Sequence, residues 1–509
     1  MSPAQSLPDP VTRRFITASV LAATMMNSLD LTIANVALPH MQGSVSASSD
    51  QITWVLTSYI VAAAIFTPLT GWLAGRFGRR RLMMVSIFGF TAASMLCGVA
   101  NTIGELVGFR LLQGIFGAAL VPMSQAILLD INPPERHGQA MAVWTMGAII
   151  APILGPVLGG WLTDNLTWRW VFFINLPVGI LAFIGLSIFL RGMKDKNPVR
   201  LDIFGFATLG IAVGALQLLL DRGQQLDWFS SLEIWIEAAV FLIFIYLFIV
   251  QTLTARRPFV DLKLFTDRNF LACCLLGFIV GVLVFSVLAI LPQLLEGLMG
   301  YPVVTTGLVM APRGMGTFAA VLFVSRFAKR IDGRLLILIG LVFNAVSMFM
   351  MSHVSLQMDA WIVITSGIVQ GIGTGLIFVP LTTLAFATLA PAFRNEGAAM
   401  FTLIRNIGSS IGISALQVLA YRNSETVHSR LVEGLRPDNP AVATMSSSFS
   451  LTDPTGLAVL GQTVQRQSMM VSMADSFWFL GVLTMFAAIL LLFIRSPRRG
   501  VEAPAIPME

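Results

Sequence analysis

Charge is what this sequence has least of. Aspartate, glutamate, lysine and arginine make up 11% of its 509 residues, against about 25% in a soluble globular chain. With 56% hydrophobic residues and a mean hydropathy of +0.81, a soluble domain is excluded and a polytopic helical membrane protein is left. Cysteine is scarce too. Cys97, Cys273 and Cys274 all lie in apolar runs, which excludes a disulfide framework and zinc-ligand spacing and makes them packing residues. The four histidines, His40, His137, His353 and His428, stand at the ends of apolar runs or in loops. Neither a metal site nor a Ser-His pair can be built from them, so an enzyme is not expected. A GxxxxGK phosphate loop is missing, which removes direct ATP driving, and no cofactor is expected.

What the sequence has instead is apolar runs of membrane-crossing length. About 20 apolar residues in a helix cross ~30 Å of hydrocarbon, and a window of that size predicts spans at 15–38, 52–73, 82–101, 105–128, 139–162 and 169–190. Two more follow at 202–220 and 232–253, then a second six at 269–293, 302–325, 335–352, 361–386, 397–420 and 475–494. The first has Arg13 and Arg14 ahead of it like a secretory signal. It is too long for one, contains Asp30 and lacks a clean cleavage pattern, so an uncleaved span is expected.

Fourteen spans put both termini on one side, and the basic residues say which. Of the 32 Lys and Arg, 23 fall on the N-terminus, the loops after even-numbered spans and the C-terminus, six fall on the opposite face and three lie inside spans. Such asymmetry makes the rich face cytoplasmic. It also accounts for the net charge of +6 without nucleic acid.

The two groups of six repeat one another. Leu112-Gln113-Gly114-Ile115, followed by Pro122, returns as Val369-Gln370-Gly371-Ile372, followed by Pro380; Arg76-Phe77-Gly78-Arg79-Arg80 returns as Arg326-Phe327-Ala328-Lys329-Arg330; the turn at Arg136 returns at Arg394. This is a parallel duplication with the seventh and eighth spans inserted. Transporters built from two such halves bind substrate between them and rock to alternate access. The expected organisation is a bundle over 1–190, two inserted helices with linkers over 191–268, a second bundle over 269–494 containing a long external loop at 421–473, and a cytoplasmic tail over 495–509.

Asp30 is the residue to explain. It lies in the first apolar run, ahead of Pro39, which is expected to end the helix. An acid near a helix centre costs roughly 2.5 to 3.5 kcal/mol to insert, so it faces a polar interior and handles ions, protons or substrate. Capping by Asn27, Ser28 or Thr32 on its own helix is the other reading. Arg110, in the fourth span, cannot readily lose its proton; either it holds a nearby carboxylate ionised or it snorkels to the external interface. Its counterpart in the repeat is Gly367.

Several stretches together resemble a known family, the major facilitator superfamily. Gly71-Trp72-Leu73-Ala74-Gly75-Arg76-Phe77-Gly78-Arg79-Arg80-Arg81 resembles the superfamily's loop between spans 2 and 3, a tight turn with basic residues on the anionic face. The usual Asp of that motif is Gly75 here, which leaves Asp130 and Asp332 as the acids for the charge latch. Arg110-Leu111-Leu112-Gln113-Gly114 is similar to the motif whose Arg is tied to proton transfer, and Gly147 to Gly160, with Gly155, Pro156, Gly159 and Gly160, resembles the motif that marks antiporters. Small residues there let helices approach closely, and Pro152 and Pro156 weaken the hydrogen-bond ladder. Leu29-Asp30-Leu31-Thr32-Ile33-Ala34-Asn35-Val36-Ala37-Leu38-Pro39, Trp168 to Gly179, Leu220 to Ser231 and Pro258 to Phe265 narrow the likeness to fourteen-span drug:proton antiporters of the EmrB type.

That resemblance implies an inner-membrane, proton-coupled exporter of lipophilic drugs, with resistance as its consequence. Asp30 and Arg110 would carry the proton, with Asn35, Gln113, Arg313, Gln370, Arg405 and Asn406 as candidates for the substrate cavity. Arg313, and Arg405 with Asn406, either orient an anionic or polar substrate or pair with backbone carbonyls. Partners implied are a periplasmic adaptor and an outer-membrane channel, with the 421–473 loop as the adaptor contact and Leu457 to Met470 as a short surface helix. A facilitator or symporter of one metabolite is the alternative; it would not need the motif of Gly155 and Pro156.

Overall fold

The structure is a computed structural model that describes residues 8–133, 136–190, 201–256, 258–327, 330–389, 393–435 and 454–494. Among these all regular structure is helical. The helices are α1 (Pro10–Ser44), α2 (Ser49–Phe66), α3 (Leu69–Phe77), α4 (Arg79–Val99), α5 (Ile103–Gly117), α6 (Leu120–Ile131), α7 (His137–Asn165), α8 (Trp170–Phe173), α9 (Asn175–Phe189), α10 (Ile203–Arg222), α11 (Leu232–Thr254), α12 (Lys263–Thr266), α13 (Arg268–Pro292), α14 (Val303–Met310), α15 (Pro312–Phe327), α16 (Gly333–Met351), α17 (Ala360–Ala387), α18 (Arg394–Glu433) and α19 (Pro454–Ala487).

Local chemistry sets many of the ends. Asp9 caps α1 by accepting from the Thr12 N–H at 3.1 Å, with Pro10 at the first helical position. Ser48 and Gln51 form a capping box on α2. Gly78 joins α3 to α4 at φ +87°, a conformation L side chains avoid. Pro68 and Pro312 stand where the second and tenth spans break, the former between α2 and α3, which meet at 58°.

Among the described residues twelve spans are long and apolar enough to cross a membrane, and the bent pair α2 and α3 makes a thirteenth. The expected span at 139–162 falls on α7, and the other expected spans fall on one helix or on two consecutive ones, as 52–73 does on α2 and α3, an arrangement compatible with the expected fourteen.

Two expectations are corrected. Pro39 does not end the first helix, which continues to Ser44; near the end of a span the carbonyl freed by a proline finds water or neighbouring groups, so the helix survives the lost bond. The region 421–473 is mostly not loop. α18 runs on to Glu433 and α19 begins at Pro454, leaving only 436–453, with Pro437 and Pro440, outside the described residues. The two helices form a hairpin that extends past the apolar spans, tied by Asn423 Nδ2 to Asp475 Oδ2 at 2.6 Å, by Ser424 with Ser468 at 3.3 Å and by Ser472 with the Ala420 carbonyl. Those side-to-side bonds let polar helices persist where hydropathy reads a loop. Leu457 to Met470 accordingly belongs to a 34-residue helix and is not a separate surface segment. The tail over 495–509 lies outside the described residues.

The duplication reappears as packing. α1 packs along α7 as α13 does along α18, α2 along α5 as α15 along α17, and α4 against α9 as α16 against α19. α10 lies against α2 of one half and α18 of the other, and α11 rests on α10 with only 6% of its apolar window buried, as expected of a lipid-facing addition. The halves share one apolar cluster at the arginine-rich face, where Leu82, Ile131 and Met141 meet Phe270, Leu389 and Phe401. Toward the other face the apolar clusters separate, one around Ile33, Val55 and Phe172, another around Leu291, Met348 and Phe477. α7 also packs on α14 of the other half toward the arginine-poor face, where a Cβ on Gly307 would lie 2.6 Å from Val157 Cγ2.

Candidate functional site

Asp30 sits in the middle of α1 with no exposure. Its Oδ2 accepts from Arg110 Nη1 at 2.5 Å, and its Oδ1 accepts from Gln113 Nε2 at 2.9 Å and Asn175 Nδ2 at 3.1 Å. An ionised carboxylate is an acceptor only, and all three contacts are donors. Arg110, equally buried, does not snorkel. Its Nε donates to the Val55 carbonyl at 3.0 Å and its Nη1 also to Gln113 Oε1 at 2.9 Å, with the guanidinium over the Tyr59 ring at 4.6 Å and the Phe172 ring at 5.5 Å. Local capping of Asp30 is not what is seen. Asn27 donates to the Tyr59 hydroxyl at 2.7 Å and the Gly117 carbonyl at 3.4 Å, and Thr32 donates to the Leu29 carbonyl at 3.1 Å.

The repeated Gln-Gly pair has a packing cause. A Cβ on Gly114 would lie 2.4 Å from the Tyr59 carbonyl oxygen and one on Gly371 only 2.0 Å from that of Arg313. In each half a glycine thus lets the fourth helix of the repeat touch the backbone of the second, and the glutamine one residue earlier enters the core. Gln113 uses this place to reach Asp30. Gln370, 3% exposed, reaches a cavity beside Arg313 that contains no acid.

Of the other cavity candidates, Arg405 is 9% exposed with its Nη2 donating to Asn406 Oδ1 at 3.4 Å. Asn35 and Asn406 are exposed. None of these three belongs to the Asp30 cluster. The structure adds residues that the motif reading did not single out: Asn175, Asn27, Tyr59 and Ser94, whose hydroxyl accepts from Asn175 at 2.9 Å and donates to the Phe172 carbonyl at 2.8 Å. Asn175 stands inside the quoted Trp168 to Gly179 stretch, and its polar side chain in an apolar run was its one sequence signal.

The acid paired at the arginine-rich face is Asp130. This acid, at the end of α6, pairs with Arg79 of its own half and with Arg394 of the other at 3.5 Å. Gly75 is half-buried within α3 and Arg76 is exposed in its last turn, whereas Asp332 accepts from the Arg334 N–H at 3.0 Å and caps α16. Gly71 supports the same closure, because a Cβ there would lie 3.1 Å from the Glu396 Cα across the two halves. In α7 a Cβ on Gly155 would meet Thr32 Oγ1 at 2.0 Å, and one on Gly159 would meet the Ile33 carbonyl oxygen at 3.1 Å. Gly160 is buried in the same helix, and the side chain of Pro156 lies outside the described residues. Small residues therefore seat α1, and with it Asp30, against α7.

The comparisons with known proteins agree with this architecture. The family model of the Major Facilitator Superfamily matches residues 20–413. The Multidrug export protein EmrB of Haemophilus influenzae is 35% identical over 493 residues, covering 96% of each chain, and that of Escherichia coli K12 is 37% identical over 472 residues, covering 91% of each. Among solved structures, the proton:xylose symporter XylE superposes with a TM-score of 0.62 at 13% identity over 96% of both chains, a likeness of fold. With its duplicated bundles, its buried Asp30–Arg110 pair and relatives of this kind over almost its whole length, the chain belongs to the Major Facilitator Superfamily, alongside the EmrB export proteins.

Proposed function

We propose that the protein is a proton-coupled multidrug exporter of the inner membrane, with its arginine-rich face and both termini in the cytoplasm. The observation that carries the coupling is the fully buried Asp30 carboxylate held by Arg110, Gln113 and Asn175. In the closed state at the arginine-rich face the acid is ionised and its charge is matched by Arg110. A proton arriving from outside neutralises Asp30, frees the guanidinium to rearrange and so weakens the contacts that hold α1 to α5 and α9. Loss of the proton to the cytoplasm restores the pair. One charge crossing 100 mV contributes ~2.3 kcal/mol, enough for roughly fiftyfold accumulation at one proton per cycle. The proton gradient is the energy source, and no cofactor takes part.

The cargo in this reading is lipophilic drugs, in keeping with the EmrB relatives being multidrug export proteins, and Asn35, Arg405 and Asn406 supply polar contacts to it. The hairpin of α18 and α19 extends from the arginine-poor face, and in this reading it is the contact for a periplasmic adaptor that would lead on to an outer-membrane channel.

The test is uptake of a fluorescent lipophilic dye into everted vesicles or proteoliposomes under an imposed proton gradient, with wild type and Asp30→Asn at matched protein levels. Uphill transport by the wild type alone is expected. Equal uphill transport by both removes Asp30 from coupling, and gradient-independent equilibration by both makes the protein a facilitator.

A further inference from the structure

Among the described residues Arg313 of the second half is a buried cation with no acid to match it. Arg313, at the start of α15, is 5% exposed and its Nη1 has no hydrogen-bond partner; Gln370, on α17, has its Nε2 likewise without one. Both line a cavity of about 10 Å³ together with Ser347, Ser366, Val287 and Leu291. The serines are occupied elsewhere, Ser347 donating to the Ser366 carbonyl at 2.7 Å and Ser366 to that of Val363 at 3.1 Å. α13, the counterpart of α1, has no Asp or Glu from Arg268 to Pro292, nor has α15, α16 or α17. Among the described residues Arg313 forms no ion pair.

Burying a charge is tolerated when it is paired and hydrogen-bonded. In the first half Asp30 does both for Arg110; in the second the donors converge with no acid beside them among the described residues, and an anion from outside the chain would complete the site. We propose that this cavity binds one small monovalent anionic group between Arg313 and Gln370. At about 10 Å³ the cavity takes one small group: a halide ion, a little larger than a water, seats with a few tenths of an ångström of side-chain adjustment, or the carboxylate end of a larger compound enters with the body of a drug left outside. The close approach of Gly371 to the Arg313 carbonyl fixes the arginine backbone beside the glutamine. The site is separate from the Asp30 cluster and does not rest on proton coupling.

The test is thermal unfolding of the purified full chain in detergent at matched ionic strength, about 150 mM, in sodium chloride, sodium acetate or sodium methanesulfonate, the last anion carrying no carboxylate and a tetrahedral head too bulky for the cavity. Wild type is expected to melt ~2–4 °C higher with a fitting anion than in methanesulfonate, because a ligand bound only by the folded state raises the melting temperature. Arg313→Gln should lose this dependence. Val287→Asp, which supplies a carboxylate within the cavity, should melt alike in all three salts. Stabilisation by chloride supports the site and assigns it to free halide; stabilisation by acetate alone supports it and assigns it to carboxylate-bearing compounds. Equal melting of wild type in every salt, or an anion dependence that persists in Arg313→Gln, overturns the proposal.

Discussion

Neutralising Asp30 should damage the fold, and neutralising Arg110 with it should repair most of that damage without restoring transport. In Asp30→Asn one oxygen becomes an NH2 group. If it takes the place of Oδ2, two donors face each other at the 2.5 Å contact with Arg110 Nη1; if the amide flips, its NH2 meets the donors of Gln113 and Asn175 instead. Either way the buried guanidinium loses its counter-charge. Unit charges about 4 Å apart interact by about 4 kcal/mol at an effective dielectric near 20, and breaking one side of a buried pair costs about 3–5 kcal/mol. Arg110→Gln should cost a similar amount, since it strands the carboxylate. The double variant leaves a neutral network of amides with no buried charge, and should cost about 1–2 kcal/mol, giving a coupling energy of several kcal/mol in a double-mutant cycle. The assay is denaturant unfolding of purified protein in micelles, followed by tryptophan fluorescence, alongside gradient-driven dye transport. A double variant destabilised by the sum of the single losses would refute the pairing energetics. Proton-driven uphill transport by it would refute the role of the acid.

Asp130→Asn should loosen the arginine-rich face, because this acid holds both Arg79 and Arg394; spin labels at Arg76→Cys and Arg326→Cys, both exposed positions, should show a longer distance population, and an unchanged distribution would rule out the latch. The three native cysteines are buried and should take up little label. Gly155→Ala should cost about 1–3 kcal/mol by overpacking, since its Cβ falls on Thr32 Oγ1, and adding Thr32→Ala should recover part of that loss in the same unfolding assay. Ser410→Ala removes the 2.9 Å bond to Gln217 that ties α10 to the second half; a loss of about 0.5–1.5 kcal/mol is expected, with the first-half contacts of α10 retained.

Much of this protein is a one-dimensional matter. The length of each apolar run, the arginine asymmetry and the repeat of Gln113-Gly114 at Gln370-Gly371 are properties of neighbouring residues, and hydrocarbon leaves a spanning segment little choice but helix. Membrane class, duplicated bundles, two inserted spans and the suspicion attached to Asp30 were therefore determined by the sequence alone. The partners of that acid were not. Arg110 lies 80 residues away and Asn175 145 residues away, and only the packing of α5 and α9 on α1 brings them to it. The same holds for Asp130, a terminal helix residue until α18 of the other half places Arg394 beside it, and for Arg313, whose missing acid shows only once five helices close around its cavity. Hydropathy also misjudged 421–473, because a polar helix hairpin is held by contacts between its two strands of chain, and a local window registers polarity but not pairing. Which buried charges are matched, and which are not, was decided by the tertiary structure, because charge compensation acts between helices that are neighbours in space and far apart along the chain.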